Sequence, residues 1–383
     1  MKRFTETGWP GRTGVLTLIG LAIAVFGPVS AAAQVGGAGV IFLKIEPDSR
    51  SAGMGNAGVA LADNASAMFW NPAGLGFQTG TEAGITHSNW LPEFSSDLFY
   101  EYLVAKHHMP TLGTFGAHLT FLNLGSHEGR DHNNISTGVF RSYDLAVGVS
   151  YGRKLTKTFS MGTSLRFIYS NLAPGQTVDF EPTRAGVSTA VDLAALYRSR
   201  PFALGSVPTT LSVGFNLANM GPKIKYSDSS EKADPIPTNL RFGTALTFDF
   251  DEYNSLNFVL DFNKDLIDVD SSGSAPFYEA IFSSWRALDV NLNTSDPTDI
   301  ERVGVFRQVT IGTGMEYWYD RLLALRFGYF YEDPYNGNRE FLTLGAGIRY
   351  NIIGVDFSYI YALEEGSPLA NTMRFSLLLN FTG

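Results

Sequence analysis

The chain has no cysteine, so disulfides and thiolate metal sites are both excluded. Charge is sparse as well: Asp, Glu, Lys and Arg make up 17% of the 383 residues, too few for long exposed helices rich in Glu and Lys. Beyond the N-terminal stretch no segment offers about 18 consecutive apolar residues, which excludes a bundle of membrane-spanning helices. Cations are outnumbered, 28 Lys and Arg against 37 Asp and Glu. No basic cluster offsets the net charge of −9, which argues against nucleic acid as a partner. What the chain has in quantity is glycine (40 residues), aromatics (13%) and hydrophobic residues generally (44%). Many glycines and aromatics with few charges describe a β-rich protein with one face in an apolar medium.

The first 33 residues have the order of a secretory signal peptide. Lys2 and Arg3 give a positive start, Val15 to Val29 an apolar stretch, and Ala31, Ala32 and Ala33 a small-residue cleavage site. The alternative, a membrane anchor, is weakened by Gly20, Gly27 and Pro28.

Period-two alternation runs through most of the chain beyond residue 80. In the last strand Met373, Phe375, Leu377, Leu379 and Phe381 share one face, and Thr372, Arg374, Ser376 and Asn380 the other. Tyr143 to Tyr151, Phe159 to Tyr169, Leu211 to Leu217 and Val355 to Tyr361 repeat the pattern. About 14 such strands begin near residues 82, 98, 113, 141, 158, 187, 208, 238, 255, 307, 322, 339, 352 and 371. Each runs to roughly 9 to 14 residues, enough to cross a bilayer at barrel tilt. The connections alternate, longer near 91–97, 124–140, 171–186, 219–237, 264–306, 333–338 and 363–370, and shorter between. Short periplasmic turns, longer external loops and an even strand count predict an all-β, transmembrane antiparallel β-barrel over 81–383, in the outer membrane, with both termini periplasmic.

Residues 34–80 do not alternate. A barrel of about 14 strands is too wide for wall side chains alone to fill, so this segment is expected to form a hatch in the lumen. Its Gly-rich run, Ser51 to Ala60, allows close backbone packing, and Ala57 to Phe69 is expected to hold a short helix ended by Asn71 and Pro72. Gly53, Gly55 and Gly58 spell a dinucleotide-binding pattern. The βαβ unit that pattern needs is missing, so Gly53, Gly55, Gly58, Trp70, Asn71 and Pro72 are read as a hatch motif.

Chemistry is thin, and no catalytic set or cofactor is expected. His127-Glu-Gly-Arg-Asp-His132 misses the zinc-protease spacing by one residue and reads as a solvated loop or an opportunistic divalent-metal site. Asp261, Asp265, Asp268 and Asp270 lack the spacing of a calcium loop and read as a solvated face. Inward charges such as Asp144, Arg166, Asp192, Arg198, Arg241, Asp249, Arg349, Asp356 and Arg374 suit a wet lumen of mixed sign. Phe277, Tyr278, Ile281, Phe282 and Trp285 gather in the longest loop, either to anchor a partner or to pack over the barrel mouth as a lid.

Several segments together resemble the PorV family, FadL-like outer-membrane proteins of the type IX secretion system in Bacteroidetes-type bacteria. They are Ser51-Ala-Gly-Met-Gly-Asn-Ala-Gly-Val-Ala60, Phe69-Trp-Asn-Pro-Ala73, Phe159 to Leu172, Leu217-Ala-Asn-Met-Gly-Pro-Lys-Ile224, Ile236-Pro-Thr-Asn-Leu-Arg-Phe-Gly-Thr244, Asn338-Arg339, Val355-Asp-Phe-Ser-Tyr359 and Pro368-Leu-Ala-Asn-Thr-Met-Arg-Phe-Ser376. The resemblance implies a barrel of 14 strands with an N-terminal hatch, acting as a non-enzymatic shuttle. Its implied partners are a giant outer-membrane translocon barrel of the Sov/SprA type, cargo C-terminal signal domains, a PorU-type sortase attachment complex and outer-membrane lipid. A FadL-like channel for hydrophobic small molecules shares the fold and is the rival reading; it needs an apolar lumen and a gap in the wall beside the hatch.

Overall fold

The computed structural model describes residues 37–130, 135–178, 181–227, 233–270, 273–291 and 300–381. The expected leader and His132 lie outside the described residues. Fourteen strands make the wall: β1 (Thr81–Asn89), β2 (Phe99–Met109), β3 (Gly113–Arg130), β4 (Ser136–Lys154), β5 (Phe159–Asn171), β6 (Gly186–Arg198) and β7 (Val207–Met220), then β8 (Asn239–Asp249), β9 (Asn254–Asp265), β10 (Val309–Tyr319), β11 (Leu323–Tyr331), β12 (Glu340–Tyr350), β13 (Ile353–Ala362) and β14 (Met373–Phe381). Each pairs antiparallel with the next, and β14 returns to β1, from Thr81 opposite Phe381 to Ser88 opposite Arg374. Closure matters because hydrocarbon offers no partner to an open sheet edge.

The alternation sorts side chains as expected. Met373, Phe375 and Leu377 point outward and are exposed, while Arg374 and Ser376 are buried in the lumen. On β5, Met161, Leu165 and Phe167 are outside, and Ser160, Ser164, Arg166 and Ser170 inside.

Two strands depart from the expected length. β3 and β4 run to 18 and 19 residues, pairing from Ser126 opposite Arg141 to Arg130 opposite Ser136 after a register shift. The loop expected at 124–140 is therefore mostly a hairpin that projects beyond the wall. Water bathes both of its faces there, so neither face needs to be apolar and the period-two signal fades.

Candidate functional site

The N-terminal segment lies in the lumen and is held by backbone contact. It contains helix α1 (Ser49–Ala52), helix α2 (Ala67–Trp70) and a 3-10 turn over Pro72–Phe77. The helix expected over 57–69 is thus confined to four residues. Upstream of it the glycines pack flat on the wall instead, with Gly55 in left-handed conformation (φ 67°). A Cβ on Gly55 would lie 2.4 Å from the carbonyl oxygens of both Thr313 and Tyr329, and the facing wall positions are Gly312, Gly314 and Gly328. Glycine meets glycine, so two backbones touch.

The rest of the hatch motif has equally local duties. Gly53 lies against the Gly345 Cα and the stem of Arg326. Gly58 leaves room for the Trp70 ring, and the Trp70 Nε1 donates to Asp48 at 2.6 Å. Asp48 also caps α1 by accepting from the Ser51 amide at 3.0 Å. The Asn71 amide nitrogen donates to the carbonyls of Val59 (3.0 Å) and Ala195 (3.1 Å), tying hatch to wall. Pro72 opens the 3-10 turn, where its missing N–H costs nothing, and its carbonyl rests against Gly152 and Gly162.

The inward charges do not face a wet channel. A ladder of alternating sign runs from hatch to wall. Arg50 pairs with Asp63 and bonds Glu316 at 2.7 and 2.8 Å; Arg326 bonds Glu316 at 2.7 Å and reaches Asp356 at 2.8 Å; Arg349 bonds Asp356 at 2.6 Å. Three cations meet three anions, so charges that are costly to bury alone are mutually neutralised. Elsewhere Arg166 pairs with Asp192 at 2.9 Å, and Arg241 bonds the Phe69 carbonyl at 3.0 Å while stacking on its ring. Asp144 and Arg374 are also buried, Arg198 and Arg349 half-buried, and Asp249 exposed. The wet-lumen expectation is corrected for the buried members of this set, where hatch atoms occupy the space that water was assigned, while Arg198 and Arg349 line an open bowl at the short-turn rim.

The acidic run is corrected likewise. Asp261 is fully buried and accepts the successive amides of Gly58 (2.7 Å) and Val59 (2.9 Å). Asp265 pairs with Lys44 and Asp268 with Arg286. Among the described residues no three His, Asp or Glu side chains gather as a metal site. His127 is exposed beside Phe140 on the projecting hairpin.

What space remains is divided. Near the long-loop rim a cleft of about 40 Å³ lies among Lys44, Glu46, Trp70, Arg241, Asp265 and Arg339. At the short-turn rim a bowl of about 620 Å³ is floored by Arg50, Leu61 and Asp63 of the hatch. Ligand cavities usually span about 300–1,000 Å³, so the cleft is far below that range and the bowl falls within it.

The longest connection, 266–308, contains helix α3 (Phe277–Ser283). Ala280 and Ser284 are buried beneath it, while Tyr278, Phe282 and Trp285 are 59%, 80% and 47% exposed. A spacing of four places Tyr278 and Phe282 on one helical face, while Trp285 follows the helix end with its ring 5.5 Å from the Lys264 Nζ of β9. Phe277 and Ile281 are half-buried, Phe277 edge-on to Tyr278, and Ile281 accepts the Trp285 indole N–H at 2.9 Å. Of the five expected aromatic-loop residues, Tyr278 and Phe282 are displayed, Phe277 and Ile281 are half-buried, and Trp285 is partly exposed beside Lys264 of the wall. Phe306, at the far end of the same connection, is 92% exposed and was not singled out in the sequence; a lone aromatic between Val305 and Arg307 carries no periodic signal.

A closed fourteen-stranded antiparallel wall, greasy outside and packed with its own N-terminal segment inside, defines an outer-membrane β-barrel of the FadL-like kind. The profile of the family described as Type IX secretion system protein PorV matches residues 30–272. The chain belongs to the PorV family. Among solved structures, a TodX deltaS2S3 mutant, a monoaromatic hydrocarbon channel, aligns with a TM-score of 0.51 at 13% identity, covering 87% of this chain and 98% of that one. The Ralstonia pickettii toluene transporter TbuX aligns at 0.48 and 14% identity, over 88% and 99% of the two chains. A Pseudomonas aeruginosa FadL homologue aligns at 0.43 and 12%, over 88% and 98%. These likenesses speak to fold alone. No curated protein matches the chain.

Proposed function

We propose that the protein is a non-enzymatic carrier at the type IX translocon. In this reading its short turns and both termini face the periplasm and its long loops face outward. It associates with the translocon barrel, receives the C-terminal signal domain of emerging cargo, and passes the cargo to the sortase-containing attachment complex. The observation that carries this reading is the pairing of a filled lumen with a displayed aromatic face. A lumen occupied by the hatch leaves the outer surfaces to do the work. Tyr278, Phe282 and Trp285 present apolar area that water alone does not favour and that a protein partner covers well.

The same filling weighs against a conduit for hydrophobic molecules. Every wall strand pairs with both its neighbours, with register shifts at Asn123/Ser126, Gly129/Arg130 and Leu217/Met220, and the cleft above the hatch is small and charged. The test is co-purification from detergent extracts of cells carrying Phe282→Ser with Trp285→Ser. Recovery of translocon or cargo is expected to fall severalfold while the barrel still inserts. Unchanged recovery of both partners removes this helix from the interface.

A further inference from the structure

The short-turn rim is electrically divided. Arg153, Lys154 and Lys157 lie at the β4–β5 turn, and Arg198 and Arg200 at the β6–β7 turn. These cations are some forty residues apart in sequence. The Arg198 amide donates to the Thr158 carbonyl at 2.8 Å, which sets the two turns side by side. No Asp or Glu occurs at 145–178 or 193–227. Arg153, Lys154, Lys157 and Arg200 are exposed, and none of them has an ion-pair partner among the described residues. Arg198 lies over the Phe77 ring. The next sector of the rim is the reverse: Asp249, Asp251, Glu252 and Asp320 are exposed, with Arg321 and the half-buried, Asp356-paired Arg349 nearby.

Apolar side chains accompany the basic sector only at its outer edge. Leu155, Phe202 and Leu204 are 55%, 43% and 55% exposed. Phe202 and Leu204 belong to a three-residue strand that folds back on Val207–Thr209 and extends the wall past β6. Just above, the outward faces of the wall carry Phe115, Met161 and Tyr197, all exposed, and Arg153 sits opposite Met161 in register. Unpaired cations thus ring the line where greasy wall gives way to water. That is the level of lipid phosphates.

We propose that this sector binds the phosphate groups of anionic glycerophospholipids, with Leu155, Phe202 and Leu204 against the upper acyl chains. In the cell this rests on the proposed orientation, which puts the short-turn rim at the inner leaflet. Charge complementarity selects the headgroup, and the adjoining apolar residues select a lipid over a soluble anion. Each cation near a charged membrane surface is worth about fivefold in affinity, so three together are worth about a hundredfold.

The test is native mass spectrometry of the full-length protein in neutral detergent, titrated separately with phosphatidylglycerol and phosphatidylcholine. The wild type is expected to retain phosphatidylglycerol preferentially. The triple variant Arg153→Gln, Lys154→Gln, Lys157→Gln should lose that preference by more than tenfold, with Arg321→Gln unchanged. Heat-modifiable gel mobility verifies that each barrel is folded. A wild type indifferent to headgroup charge overturns the proposal and leaves the cations to a soluble acidic partner; so does a triple variant within tenfold of wild type. Glycerophosphoglycerol without acyl chains, if it competes as well as the lipid, reassigns the site to free phosphate and also overturns it. Because detergent has no sidedness, these outcomes are independent of orientation. Lys157→Cys, labelled by an impermeant maleimide in intact cells, tests orientation separately in a chain with no other cysteine.

Discussion

Gly55→Ala is the sharpest perturbation of the hatch. Two costs arise at this position and can be separated. Left-handed backbone costs an alanine about 1–2 kcal/mol. Pushing a methyl against the Thr313 and Tyr329 carbonyls at 2.4 Å adds an overpacking cost of about 1–3 kcal/mol, because the atoms in the way are backbone. Displacement also strains the 2.9 Å bond from the Gly55 amide to the Thr343 hydroxyl, worth about 1 kcal/mol. The total is about 4 kcal/mol, close to a thousandfold in the ratio of seated to unseated hatch. Gly205 supplies the control. Its φ is 66°, and a Cβ there meets nothing within 4 Å, so Gly205→Ala carries only the backbone cost. Proteolysis of residues 40–78 in detergent and conductance across planar bilayers would read the difference. The Gly55 variant should be cleaved faster and pass current, while the Gly205 variant resembles wild type. Equal behaviour of the two would refute the claim that backbone-to-backbone contact seats the hatch.

The packing supports three more expected outcomes. Arg50→Met leaves buried Glu316 with Arg326 as its one cationic partner and should lower stability by about 3–5 kcal/mol, with Arg50→Met/Glu316→Met recovering part of it, read from denaturant midpoints. Leu377→Arg puts a cation on the lipid face midway along β14 and should cost about 2–4 kcal/mol in vesicle refolding. Deleting 277–284 should leave heat-modifiable mobility intact, because surface connections tolerate length changes and the deletion spares Trp285 beside Lys264 of β9.

Much of the wall was legible from residues alone. Side chains on a strand alternate, and lipid demands an unbroken apolar face, so Met373, Phe375 and Leu377 announced both strand and orientation before any contact was known. The need for a lumenal filling came from strand count. What fills the lumen, and how, did not. Asp261 looked like the start of a solvated run, yet it caps amides 203 and 202 residues earlier. Arg50 and Glu316 are 266 residues apart, and neither is unusual in its own neighbourhood. A carboxylate reads the same in sequence whether it meets water or a distant guanidinium. Only the closing of β14 onto β1, with the hatch inside, decides which it meets, because that step sets the non-local distances on which burial and pairing depend.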